Sequence, residues 1–371
     1  MFFYYQHFAN IIMKQDLLDL YTDYLICQNK YATATGLSDM LSHEISHDKV
    51  TRFLNGNSFT SRELWLYIKD IVRTHETETG GVLILDDTIE EKPYTDENDL
   101  VCWHHCHTKN RHIKGINILS CLVRYENITL PVGYEAVRKD VQFSDIKTKK
   151  FNRTASISKN EHFRNLVEQC HKNQVKFDHI LADNWFGAKE NLNYIHHDLH
   201  RFFIIGLKSN RLVALSESDK KKKVFQRVSE LELKENQGLQ VWLKGNSFPV
   251  MLVKKVFKNE DGTTGILYLV SNDLARDATQ LYQIYQKRWE IEVYHKSIKQ
   301  NASLAKSPTK RMISQANHLF ASIIAFCKLE MLKFKTATNH FAIKCKLLIT
   351  ANQAAMKMLA ELQNNTIGCV R

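Results

Sequence analysis

The chain is poor in the residues that break secondary structure, with 4 prolines and 13 glycines among 371 residues. Together with 44% apolar residues this excludes broad disorder and allows a large buried core. No apolar run reaches about 18 residues, so a conventional membrane-spanning helix is excluded. The first residues, Met1 to Met13, are apolar and aromatic but interrupted by Gln6, His7 and Asn10. They lack a basic leader and a small-residue cleavage site, so they do not read as a signal peptide, and Met13 is an alternative start. The eight cysteines contain no C-x-x-C pair, which points to reduced thiols in a cytoplasmic protein. Phosphate loops and Gly-rich dinucleotide fingerprints are also missing.

Positive charge is in excess. The net charge is +11 and the isoelectric point about 9.1, which suits a polyanion such as nucleic acid and also suits an ordinary basic protein. The length accommodates two or three domains, or one large domain with appendages.

Residues 14 to 76 read as helices. Two short ones flank the polar turn Ser46-His47-Asp48, in an arrangement compatible with a helix-turn-helix or with any small bundle. The texture then changes. Val82-Leu-Ile-Leu85 reads as a buried strand ending in Asp86-Asp87-Thr88, and strands follow at Ile113–Arg124, Ile128–Val137, Phe177–Ala182 and Arg201–Leu207. Helices are predicted over 158–172 and 187–197. From 209 to 265 the chain is polar and strand-like, and it includes Lys220–Lys223 and Trp242. A strand over 266–270 precedes a helix start at Asn272-Asp273, a helix over 279–299, and long helices over 309–334 and 341–363.

The stretch from Tyr285 to Lys299 is the most informative. At about 100° per residue, Tyr285, Arg288, Glu292 and Lys299 fall within an arc of roughly 60°, while Ile284, Ile291 and Ile298 gather on a separate, packing face. A metal-binding acid between phosphate-gripping groups has this pattern, and so does a salt-bridged helix surface. Asp86 and Asp183 each follow an apolar strand, where acids can converge at one sheet edge or simply cap a turn. Three such carboxylates suit Mg²⁺ or Mn²⁺, and two ions about 3.5–4 Å apart could drive phosphodiester chemistry.

In that order, Leu-Asp86-Asp-Thr88, Ala-Asp183-Asn-Trp-Phe-Gly187 and Tyr285-x2-Arg288-x3-Glu292-x6-Lys299 resemble the bacterial insertion-sequence DDE transposases. More narrowly, they resemble the insertion-sequence-four-like superfamily with its Tyr-Arg-Glu-Lys spacing. The resemblance covers roughly residues 80 to 335. It implies an α/β fold with an RNase H-like catalytic core (residues 77–335) and a β-rich insertion at about 209–265. A helical DNA-binding region (1–76) and a helical tail (336–371) would flank the core. It implies Asp86, Asp183 and Glu292 as the catalytic, metal-binding triad, with Mg²⁺ or Mn²⁺, as a pair of ions, as cofactor. Tyr285, Arg288 and Lys299 would bind DNA, and Trp242 is a candidate for stacking a flipped base in the insertion, or a sheet-core residue. Asp86 is preferred to Asp87 because the family's first acid precedes one variable residue and a Thr or similar.

The implied function is Mg²⁺-dependent cutting at element ends and joining of the 3′-hydroxyl to target DNA by a homodimer, with no membrane partner. The alternatives are a metal-dependent nuclease, or a DNA-binding regulator or inactive copy. Lys220–Lys223 could track a DNA backbone or form a solvated loop tip. Two decoys remain. His43-Glu44-Ile-Ser-His47 matches a zinc-hydrolase motif, but a helix boundary at Ser46 would separate its two histidines. Cys102-Trp-His-His-Cys-His107 is too dense for one tetrahedral zinc site and reads better as a strand or turn.

Overall fold

The computed structural model describes residues 16–106, 109–144, 146, 149, 151–258 and 261–367. The readings of Met1–Met13 and of His107 fall outside these residues. The chain forms two compact units, Thr60–Val293, and Met1–Phe59 with Tyr294–Arg371. These units cut across the sequence-contiguous regions read above. The helix Ser61–His75 is capped by Thr60 and Glu63 and packs in the first unit, where Ser61 Oγ donates to the Tyr134 carbonyl at 2.6 Å.

The strands of the first unit are β1 (Val82–Glu91), β2 (Cys102–Cys106), β3 (Arg111–Tyr125), β4 (Ile128–Val137), β5 (Val141–Ser144), β6 (Phe151–Thr154), β7 (His179–Ala182), β8 (Phe202–Leu207), β9 (Leu212–Ala214), β10 (Gln226–Arg227), β11 (Gly238–Leu243), β12 (Val250–Lys258) and β13 (Thr264–Ser271). Its core runs in the order β4-β3-β1-β7-β8. β4, β3 and β1 meander antiparallel, whereas β7 and β8 run parallel to β1. Parallel neighbours require crossovers. The helix Lys159–Lys172 lies in the connection from β4 to β7, and Lys189–Asn193 with the π-helical turn Tyr194–Asp198 connects β7 to β8. This α/β arrangement has the order of the expected RNase H-like core.

The insertion continues the same sheet. β13 pairs antiparallel with β8, and β12, β11, β9 and β10 follow outward. Three local readings need correction. β1 does not stop at Asp86 but runs on to Glu91, because β3 pairs with it over its whole length. The helix expected over 279–299 is interrupted, with Ala278–Gln286 and Glu290–Gln300 separated by a 3₁₀ turn at Lys287–Trp289. The helix start lies at Asp277, which caps Gln280, rather than at Asn272-Asp273.

Asn272 and Asp273 have a tertiary role instead. Asn272 receives the Phe203 N–H at 2.9 Å and donates to the Arg201 carbonyl at 2.9 Å, binding the start of β8. The Asp273 carboxylate is 3.0 Å from His179 Nε2 and accepts from Arg276 Nε at 2.9 Å. Asp273 and His179 are both buried, and burial holds His179 below its ordinary pKa against the pull of the carboxylate.

In the second unit the helix Met312–Thr336 is buried on nearly all sides over its first half. Its His318 is 2.9 Å from the Tyr21 hydroxyl and 3.0 Å from the Ser303 carbonyl. Ser303 in turn accepts from Gln28 at 2.6 Å and donates to the Leu25 carbonyl at 2.7 Å. Ser46 caps the helix His47–Gly56, whereas His43 lies before it with φ at 65°. The two histidines of the zinc-like motif therefore do not share a helical turn. Cys102–Cys106 is strand β2, with Trp103 and His105 on its exposed face. Among the described residues every cysteine is a free thiol, and no helix is long and apolar enough to cross a membrane.

Asp273→Ala leaves a buried imidazole and Arg276 without their carboxylate. It should destabilise the protein by about 2–4 kcal/mol, and Asp273→Asn by less, because the amide can still pair with one of them. The denaturant midpoint at unchanged m-value measures both effects.

Candidate active site

β7 pairs with β1 for only four residues, from Val82↔His179 to Leu85↔Ala182. The next residues in this register are Asp86 and Asp183. Asp86 lies midway along β1 and Asp183 just beyond the carboxyl end of β7, on neighbouring parallel strands that run about 4.8 Å apart. Here β7 gives way to a loop while β1 continues along β3, so the acid pair occupies a notch in the sheet. Ligands of open α/β sheets bind at this kind of edge.

The interrupted helix brings the next groups. The 3₁₀ turn and the residue after it are fastened at three points, two on the sheet and one just before β1. Lys287 donates to the Gly80 carbonyl at 3.2 Å, Arg288 Nη1 donates to Asp86 Oδ2 at 2.9 Å, and Glu290 forms an ion pair with Arg124. Its tighter winding, about three residues per turn, replaces the uniform 100° step of a single helix. Arg288 Nη1 also lies 3.6 Å from Glu292 Oε1, so one guanidinium nitrogen bridges the first and third acids. The Tyr285 hydroxyl donates to the Ala182 carbonyl at 3.4 Å, and its ring lies 5.8 Å from the guanidinium carbon. Asp183 Oδ1 accepts the Trp185 N–H at 2.9 Å.

Desolvation sets the electrostatics. Burial, followed by the charge of Asp183, pushes the Asp86 carboxyl up to about 7, with Arg288 opposing. Burial also raises Asp183, moderated by the Trp185 N–H and Arg288. The Tyr285 phenol is pushed up to about 12, chiefly by burial. Burial works against the charge of Arg288, but Tyr285, Asp86, Glu292 and Asp183 outweigh it and raise its pKa. Asp86 and Glu292 thus share one cation, Arg288.

Asp87 is differently engaged. Its two oxygens accept from Lys159 Nζ at 3.1 and 3.0 Å, and Oδ2 also accepts from Asn117 Nδ2 at 2.5 Å. Strand pleating separates it from the Asp86 face.

Not every candidate joins this group. Trp242 is half-buried in β11 opposite Ala214. β11 is four strands from β7 in the sheet order, roughly 19 Å at about 4.8 Å per strand. Lys299 is half-buried on the helix Glu290–Gln300, in the portion that belongs to the second unit. Lys221 of the basic run pairs with Glu217 on a short surface helix.

Asp86, Asp183 and Glu292 offer only carboxylate oxygens, the donor type preferred by Mg²⁺ and Mn²⁺. Two of them adjoin in the register, so the residues fit a hard divalent cation in kind. Among the described residues no three acidic, histidine or cysteine side chains are gathered closely enough to form a metal cluster as they stand. Arg288 stands between the first and third acids.

Residues 4–224, which contain Asp86 and Asp183, match the family described as DDE superfamily endonuclease. Residues 141–327, which contain Asp183 and Glu292, match the transposase DDE domain. The chain belongs to the DDE transposase family. No curated protein matches it. Among solved structures it is similar to the Drosophila P element transposase strand transfer complex, at 10% identity and a TM-score of 0.18. That alignment covers 48% of this chain and 48% of the other, so the chain spans about half the length of that transposase.

Sequence reasoning missed the surroundings of Asp86, Asp183 and Glu292. Lys159 lies at the start of a helix capped by Ser158, and nothing local marks it as the partner of Asp87. Asn117 is buried in β3, where its amide reads as an interruption of an apolar strand. Trp289, inside the 3₁₀ turn, is 67% exposed. Only the spacing from Arg288 and Glu292 places it beside the site.

His104, on the buried face of β2, lies in the field of Lys139, Lys159 and Asp87 and is lowered to about 4, first by burial and then by the two lysines. The unfolded chain therefore takes up a proton between about pH 6.5 and pH 4 that the folded chain refuses. Stability from this residue is complete above the unfolded value and declines as pH falls through the window. His104→Leu should weaken this acid destabilisation, by up to about 3 kcal/mol. Melting temperatures of wild type and variant at pH 7 and pH 5 test it.

Proposed function

We propose that this protein is a DNA transposase that cuts at the ends of an insertion sequence and joins the freed 3′-hydroxyl to target DNA. The observation that carries the reading is the adjacency of Asp86 and Asp183 at the β1–β7 notch, with Glu292 linked to Asp86 through Arg288, in a chain of the DDE family. Asp86, Asp183 and Glu292 would hold Mg²⁺ or Mn²⁺, two ions at full occupancy. When bound, the metal supplies neutralisation of phosphate charge and activation of an attacking oxygen.

The remaining roles belong to the chain. Arg288 neutralises the acids before substrate arrives and is built to grip a phosphate bidentately. Glu292, whose side chain is more exposed than that of Asp86, can change partner when it does. Tyr285 is packed under the guanidinium and fixes its approach, while Lys299 supplies a point charge to the DNA. These four residues match the Tyr-Arg-Glu-Lys spacing of the insertion-sequence-four-like transposases. We assign Trp242 to packing of the insertion sheet. Asp86 serves as the first acid, because Asp87 is held by Lys159 and Asn117. Two element ends must be held together, so the working species is a homodimer on DNA in the bacterial cytoplasm. The region containing Thr35–Phe53 would assist in end binding.

A labelled duplex carrying the inverted repeat that flanks the gene, incubated with Mg²⁺ or Mn²⁺, tests the reading. Wild type should cut at the repeat boundary and join the product to a second duplex. Asp86→Ala, Asp183→Ala and Glu292→Ala should each retain binding and lose cutting. Cutting without joining would identify a nuclease, and retarded but uncut DNA a binding protein or an inactive copy. Divalent metal should also stabilise the folded chain in the absence of DNA. At ten times its Kd the gain is about 1.4 kcal/mol, visible as a rise in melting temperature for wild type and reduced in Asp86→Asn and Asp183→Asn.

A further inference from the structure

Trp185, two residues beyond Asp183, has no part in the chemistry above, yet it is 42% exposed. Its ring centroid lies 5.0 Å from Lys159 Nζ and 5.2 Å from Lys208 Nζ. The loop that carries it is held firmly. The Trp185 N–H donates to the Asp183 carboxylate at 2.9 Å, and the Phe186 N–H donates to the Asp183 carbonyl at 3.3 Å. A Cβ on Gly206 would come within 2.7 Å of the Asn184 nitrogen, and one on Gly187 within 2.9 Å of the Gly206 carbonyl, so the loop lies directly on β8. The position of the indole is therefore tied to the second acid.

Beside this loop, at the carboxyl end of β8, opens a groove of about 450 Å³ lined by Asn184, Lys208, Ser209, Asn210, Ile266 and Tyr268. It lies on the edge where β1 and β7 present their acids, since β7 and β8 are parallel neighbours. The volume suits a small ligand of the size of a nucleotide and is far too small for a duplex. Its lining offers amides, hydroxyls and one cation, with an aromatic platform alongside. Lys159 is held by Asp87, whereas Lys208 is exposed and can leave the ring face for a phosphate.

We propose that Trp185, Lys159, Lys208 and this groove form a subsite for single-stranded DNA next to the phosphate held at the acids. A base stacks on the indole, Lys208 neutralises a flanking phosphate, and Asn184, Ser209 and Asn210 receive the polar edges of the nucleotide. Stacking accepts any base, but only an unpaired one has a free face to offer. The subsite thus selects strand ends or locally opened DNA over intact duplex. It rests on the DNA-cleaving reading for its purpose, but not for its test.

The test is equilibrium binding of a labelled oligothymidine and of a blunt duplex of equal length to the full chain in EDTA, where cleavage is blocked. Trp185→Ala should weaken oligothymidine binding about tenfold while duplex binding changes less than about twofold, and Trp185→Phe should restore most of the loss. Lys208→Ala should reduce the salt slope of single-strand binding by about 0.7. Unchanged melting temperatures would show that the variants fold. Equal losses on both DNAs, or none on the single strand, would overturn the subsite. Trp185-dependent single-strand binding in a chain that never cuts end DNA would support the subsite and overturn the transposase reading. Cutting by a chain whose binding ignores Trp185 would do the reverse.

Discussion

The four-residue parallel ladder between β1 and β7 is the constraint on which the site depends. Its last pair, Leu85↔Ala182, is buried and apolar, and the next position on each strand is an aspartate. Two carboxylates brought together in a poorly hydrated notch repel each other, and each loses hydration energy. The raised Asp86 carboxyl records that cost. One cation, Arg288, offsets it from across the sheet and brings Glu292 with it. The acids, the 3₁₀ turn and the helix after it are thus parts of a single electrostatic arrangement. Desolvation combined with a specific charge partner is the kind of perturbation that clusters at functional sites.

The sheet explains how such an arrangement tolerates its strain. β3 spans the whole of β1, so β1 keeps its course past the end of β7 and holds Asp86 in place on a fully bonded strand. Asp183, by contrast, begins a loop, but its own carboxylate accepts the Trp185 N–H and shapes that loop. On the other side β8 carries the insertion outward through β13 as part of the same sheet. Asn272 and Asp273 bind this extension back to β8 and β7. The insertion is therefore built into the same sheet that carries Asp86 and precedes Asp183.

The neighbouring acids Asp86 and Asp87 show how a one-residue step divides labour in a strand. Asp86 faces Asp183 and Arg288, whereas Asp87 turns to Lys159 and Asn117. Lys159 in turn contacts Trp185. Asp87 thus positions a cation near the indole, while its neighbour meets Arg288.

Much of this was legible in the residues alone. The apolar runs ending in Asp86 and Asp183, the period-seven isoleucines and the spacing of Tyr285, Arg288 and Glu292 are local patterns. Local patterns determine strand and helix type because side-chain direction follows from backbone periodicity. The order of the acids along the chain likewise determined the family resemblance. Partnership was not legible. That β1 outruns β7, that helix 279–299 breaks where Lys287 binds the Gly80 carbonyl and Arg288 and Glu290 bind the sheet, and that Asp273 meets His179 rather than capping a helix all depend on residues far away in sequence. Such contacts arise from burial and register, and only the tertiary structure decides which polar group a buried charge will find.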